Sequence, residues 1–186
     1  IQSQGAGALG EEQQRLAARP LNFHRGTGWE CGPATDVVGR VVEVVSGMTL
    51  DQFLNQRIFS PLGMSDTHFY PPEAKLSRVA TNYTPKTTER GITPVPRPAQ
   101  VNTRYFSGAG GLSSTAADYL RFCQMSLNGG ELNGARLLSR KSVEAMTGNH
   151  IGDLKGWLVP PGARFGLGYA VLTDLGEFQG LGSVGS

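Results

Sequence analysis

A thiol or hydroxyl attacks a carbonyl only when a neighbouring base takes its proton, so the first question is which nucleophile in these 186 residues has such a neighbour. Cys31 and Cys123 are the two thiols, and His24, in FHRGTGW, is the imidazole upstream of Cys31. A Cys31 nucleophile with His24 as its base would be thiol chemistry. A glycine-rich turn separates the two, however, and no third group that orients the base can be named, so His24 reads as a surface or turn residue. Cys123, among apolar neighbours, reads as a small buried hydrophobe. Ser113 and Ser114 stand in GGLSST, whereas a nucleophile elbow needs Gly-x-Ser-x-Gly between strand and helix, so they read as a helix cap. The cysteines have neither metal-ligand nor Cys-x-x-Cys spacing, so the reading includes no metal and no cofactor.

The elements that would position Cys31 follow it, in the stretch Trp29 to Thr67. Val37, Val38, Val41, Val42 and Val45 recur at the three-four spacing of one helical face, with Asp36, Arg40, Glu43 and Ser46 on the other. Strand alternation would instead put Gly39 and Glu43 on the face of Val37 and Val41, so a helix over about 33–46 fits better, its valines in the core and Gly47 as its stop. Thr49 with Gln52 is a capping-box pattern, and Leu50, Phe53, Leu54 and Ile58 form the stripe of a helix over 49–59 that Pro61 stops.

Elsewhere the punctuation is sparser. Residues 1–19 read as a mobile arm with a short helix from Glu11 to Ala18, stopped by Pro20. From Tyr70 to Arg104 the prolines at 71, 72, 85, 94, 96 and 98 mark a long irregular excursion. Ser114 or Thr115 caps a helix over 115–128 whose buried face carries Leu120, Phe122, Cys123 and Leu127, and Gly129-Gly130 ends it. Ser139 caps another over 139–147, with Val143 and Met146 on one face. Phe165 to Leu172 alternates bulky residues with Gly166, Gly168 and Ala170, as in a strand with another backbone packed against its bare side.

With 39% hydrophobic and 17% charged residues, the composition is that of one ordinary globular domain. Seventeen basic against fifteen acidic side chains leave a net charge of +2, without a basic cluster, which makes nucleic acid a poor partner. No apolar run approaches the roughly 18 to 20 residues of a membrane span.

Taken in order, GTGW (26–29), VVGRVVEVVSG, LDQFLNQRIFSPLGM with Asp66-Thr67, GAGGLSSTAADYLRF (108–122), LNGG (127–130) and FGLGYAV (165–171) resemble the penicillin-recognising serine hydrolases. That family comprises class C β-lactamases, D,D-peptidases and family VIII carboxylesterases, and the resemblance covers about residues 20–175. It implies an α+β chain, a partial β-lactamase/transpeptidase-like fold that keeps mostly the helical lobe and a small remnant of the antiparallel sheet. Residues 176–186 would be a truncated tail.

The resemblance also implies acyl transfer: a serine in Ser-x-x-Lys attacks a carbonyl, while the lysine and a tyrosine handle protons. No serine here has lysine three residues on; Ser60, Ser77 and Ser139 meet Gly63, Ala80 and Ser142. Lys86-Thr87-Thr88 lies in a proline- and turn-rich setting and reads as loop, not as the family's Lys-Thr-Gly strand. Where the family has its tyrosine, after Trp29-Glu30, stands Cys31, the one catalytic candidate; a free thiol ionises near pH 8.5, against about 10 for a phenol, but is shorter. The expectation is a fragment of a serine hydrolase of esters or amides, inactive alone. The alternatives are a non-catalytic binding protein on the same scaffold and an enzyme completed by a partner chain. The parent's substrate would be a small ester, a β-lactam or a peptide, the compartment bacterial cytoplasm or periplasm, and exposed apolar surface would favour self-association.

Overall fold

Gly39 is the reason the first helices can meet. A Cβ there would lie 3.0 Å from a Leu50 methyl, 3.3 Å from the Gly108 Cα and 3.4 Å from a Leu9 methyl, so its bare backbone is where three segments touch. These contacts join α1 (Leu9–Ala17), α2 (Ala34–Ser46) and α3 (Leu50–Leu54). The structure, a computed structural model, describes residues 9–85, 90–95, 104–154, 159 and 162–173.

The local signals work as their chemistry requires. Gly47 ends α2 in the left-handed conformation at φ 69°, its N–H donating to the Glu43 carbonyl. Thr49 and Gln52 form the capping box at the start of α3. The helix then widens into a π turn, Asn55–Phe59, and returns to α geometry in α4, Ser60–Leu62. Pro61 therefore lies inside the helix and does not stop it. The π register already sends the Ser60 N–H to the Asn55 carbonyl, and the stop comes at Gly63, φ 68°.

The excursion from 70 to 104 is not wholly irregular. A 3₁₀ helix, Glu73–Arg78, is followed by an exposed hairpin of β1 (Tyr83–Pro85) and β2 (Ile92–Pro94). Lys86, Thr87 and Thr88 lie outside the described residues. α5 (Ala116–Leu127) starts on Thr115, whose side chain accepts the Asp118 N–H, and α6 (Arg140–Met146) starts on Ser139, which accepts that of Ser142. Between them β3 (Glu131–Leu132) and β4 (Ala135–Arg136) close a hairpin over Asn133 and Gly134, both at positive φ.

The single strand read over 165–172 is two: β5 (Ala163–Phe165) pairs antiparallel with β6 (Ala170–Leu172). The bare side is as read at Gly166, where a Cβ would lie 2.1 Å from the Met146 carbonyl oxygen.

Phe59, Leu62, Met64 and Met125 form the buried core, with Leu54, Ile58, Phe122, Leu132 and Leu137 against it. Two expectations fail here. The valines of α2 are not core: Val38 is 60% and Val45 82% exposed, and the buried residue of that helix is Gly39. On α5, Leu120 and Leu127 are exposed, and Met125 and Asp118 occupy the buried face. Periodicity identified both helices, but it ranks apolar side chains above the glycine and the carboxylate that make the contacts.

Candidate functional site

Cys31 lies in the turn that leads into α2, and its neighbours hold that turn from three sides. Trp29 packs against Phe165 of β5 with ring centroids 4.7 Å apart and planes tilted by 43°, tying the turn to the small sheet. Glu30 accepts the Asn22 amide at 3.0 Å, and Gly28 packs on the Phe23 ring, which a Cβ would meet at 3.1 Å. Beyond Cys31, Pro33 opens the helix, its carbonyl accepting the Asp36 N–H at 3.0 Å.

Asp36 carries the third connection. Its Oδ1 accepts the Ser107 hydroxyl at 2.6 Å and the Ala109 N–H at 3.2 Å, which clamps the start of GAGG against the first turn of α2. The clamp needs glycine at 108, because a Cβ there would sit 2.2 Å from the Thr35 carbonyl oxygen. Sequence reasoning placed Asp36 on a polar helix face and missed this role. Its position in the first turn, where carboxylates favour N–H partners, was the available signal.

The thiol itself is exposed and free. His24 is exposed too: its carbonyl receives the Thr27 hydroxyl at 2.7 Å, and no hydrogen bond joins its ring to Cys31 among the described residues. A thiol–imidazole pair is thus not assembled. Ser113 is engaged through its backbone, in a bridge to His68, while the Ser114 hydroxyl pairs with that of Thr67 at 2.8 Å. Both serve the joint between α5 and the segment after α4. Among the described residues no helix is long and apolar enough to cross a membrane.

Comparison with known proteins gives the class of this fold. The family model described as Beta-lactamase matches residues 4–185, and the chain belongs to that family. Protein Rv1367c of Mycobacterium tuberculosis is 37% identical over 166 residues, which are 86% of this chain and 41% of that protein. Lovastatin esterase of Penicillium rubens is 33% identical over 174 residues, 91% of this chain and 41% of the esterase. Among solved structures, EstCE1, a hydrolase with promiscuous acyltransferase activity, superposes with a TM-score of 0.73 at 26% identity, covering 93% of this chain and 48% of EstCE1. The chain therefore spans about two-fifths of the length of the curated relatives it matches. The partial β-lactamase-like α+β fold is thereby established.

Proposed function

We propose that these 186 residues form the helical lobe and a remnant of sheet of a serine hydrolase acting on ester or amide bonds, and that alone they do not turn over substrate. One combination supports the reading. The family match runs over nearly the whole chain, yet within it there is no Ser-x-x-Lys and no Lys-Thr-Gly, and on our reading of the GTGWEC stretch Cys31 takes the place of the family's tyrosine.

In the parent reaction a serine adds to the carbonyl, and its proton passes through the lysine and tyrosine to the alcohol or amine that departs as the ester or amide bond breaks. Water then releases the acyl group as the acid and restores the serine. This chain contributes to that reaction the turn at Cys31 and the clamp through Asp36. It does not contribute the attacking hydroxyl with its lysine, and a thiol in place of the phenol lacks the reach of a phenolic oxygen. A carboxylic ester is the substrate class to examine first, since lovastatin esterase is among the relatives; a β-lactam comes next. A second reading, a binding protein that kept the scaffold and lost its chemistry, is favoured by Cys31 itself.

The test is hydrolysis of a short-chain aryl ester and a chromogenic cephalosporin by the purified chain, with Cys31→Ala in parallel. No turnover above buffer is expected from either protein. Turnover abolished by Cys31→Ala would make the thiol the nucleophile, and turnover indifferent to that change would reveal a hydroxyl nucleophile outside the Ser-x-x-Lys pattern.

A further inference from the structure

A cavity of about 360 Å³ lies between the π-turn helix and the segment Thr67 to Tyr70, which places it among small-molecule sites of roughly 300–1,000 Å³. It shares no residue with the Cys31 turn or the Asp36 clamp. One wall is polar and comes from successive turns of one helix: Asp51, Gln52, Asn55 and Gln56. The lining also includes Phe69 and Phe106, whose ring centroids are 5.4 Å apart with planes inclined at 60°, an angled apolar platform.

The polar wall is only partly used by the protein. The Thr49 hydroxyl donates to Asp51 at 2.6 Å, and the Thr49 N–H donates to the Gln52 oxygen at 3.4 Å. The Ser60 hydroxyl donates to the Asn55 oxygen at 2.9 Å. Among the described residues, the exposed NH₂ groups of Gln52 and Asn55 and the exposed amide of Gln56 make no hydrogen bond to another protein group, and so face solvent. The wall therefore offers several donors with acceptors beside them. The π turn begins in the middle of this wall, at Asn55. Such turns are rare and concentrate at functional sites, and burying Phe59 alone would require nothing more than an α-helix.

We infer that this cavity binds a neutral polyhydroxylated ring, a sugar unit. Its hydroxyls would exchange hydrogen bonds with the amides and Asp51, and its C–H face would lie on the Phe69 and Phe106 rings, whose negative faces attract C–H groups. Charged ligands fit less well. An anion meets Asp51, and a cation finds Asp51 already bonded to the Thr49 hydroxyl, with the Nζ of Lys75, itself paired with Asp66, 3.2 Å from Nε2 of His68 in the cavity lining.

The inference goes beyond the hydrolase reading and does not depend on it. Methyl β-D-glucoside and N-acetylglucosamine, each titrated to tens of millimolar into the isotope-labelled chain, test it by NMR. At least one is expected to shift the side-chain amides of Gln52, Asn55 and Gln56 saturably. Exposed Gln56→Ala is expected to weaken binding about fivefold, the loss of one hydrogen bond, and Phe106→Leu to weaken it by removing the platform. Absence of saturable shifts with both sugars would overturn the inference. So would binding unchanged in both variants, or tetramethylammonium producing the same shifts at lower concentration.

Discussion

A carboxylate left with 2% of its surface exposed must be bonded on every side, and Asp118 is. One oxygen accepts the Asp66 N–H at 2.7 Å and the Thr67 hydroxyl at 3.0 Å, and the other accepts Arg121 at 2.9 Å. The first of these bonds holds the segment after α4 onto α5. Asp118→Ala would leave the Asp66 N–H without its acceptor and Arg121 without its carboxylate, while the Thr67 hydroxyl keeps only Ser114, at a cost of about 3 kcal/mol in urea unfolding. A loss under about 1 kcal/mol would show that water replaces the carboxylate. Asp66 next to it behaves differently. Arg78 grips it through two hydrogen bonds, at 3.0 and 2.8 Å, and Lys75 adds an ion pair at 2.8 Å. Arg78 first and Lys75 second hold the Asp66 carboxyl well below the usual carboxylate range. A group depressed in this way stabilises the fold above its unfolded pKa, about 4, and loses that contribution as pH falls toward its folded value. The melting-temperature gap between the wild-type chain and Asp66→Asn should thus be full at neutral pH and shrink in acid. A gap independent of pH would contradict the ion-pair origin.

Among the elements, the glycine at the clamp is the sharpest test of how the Cys31 turn is positioned. Gly108→Ala would push a methyl into the Thr35 carbonyl, whereas Gly32→Ala meets nothing within 4 Å. The first is expected to cost at least about 2 kcal/mol and the second no more than about 0.5 kcal/mol, both read from denaturant midpoints. Equal effects would mean that the loop is free to move. The same glycines show which parts of the fold were legible. Caps and stops act through neighbouring residues, so Gly47, the Thr49–Gln52 box, Thr115 and Ser139 were readable in place. Close approaches depend on distant backbone, so the roles of Gly39 and Gly108 were not. The β3–β4 hairpin was overlooked although Asn133-Gly134 is a strong turn pair, because strands of two residues leave no alternation to see. The π turn has no pattern of its own in NQRIF, and Pro61 read as a stop only because an α register was assumed. At the site, Cys31 was singled out only through a family resemblance, whereas the Asp36 clamp required the fold.

For the whole molecule, the valines of α2 matter most. Val38, Val41, Val44 and Val45 are more than half exposed, an apolar stripe larger than isolated surface residues would make. Water contact along such a stripe drives association, so sedimentation velocity is expected to show species larger than the monomer as concentration rises. Val38→Lys with Val45→Lys should return the chain to monomer without loss of helix content. A wild-type chain that stays monomeric at every concentration would contradict this. We propose one account of the whole molecule, in which the chain carries a Beta-lactamase-family scaffold without a Ser-x-x-Lys nucleophile.

Intact-mass spectrometry after exposure to a penicillin reaches that account most directly, because an acyl-enzyme is a covalent fact whether or not it turns over. An unchanged mass is expected for the chain and for Cys31→Ala alike. A single adduct mapped to a serine would contradict the central claim, and so would one on Cys31 that forms faster than on a small free thiol.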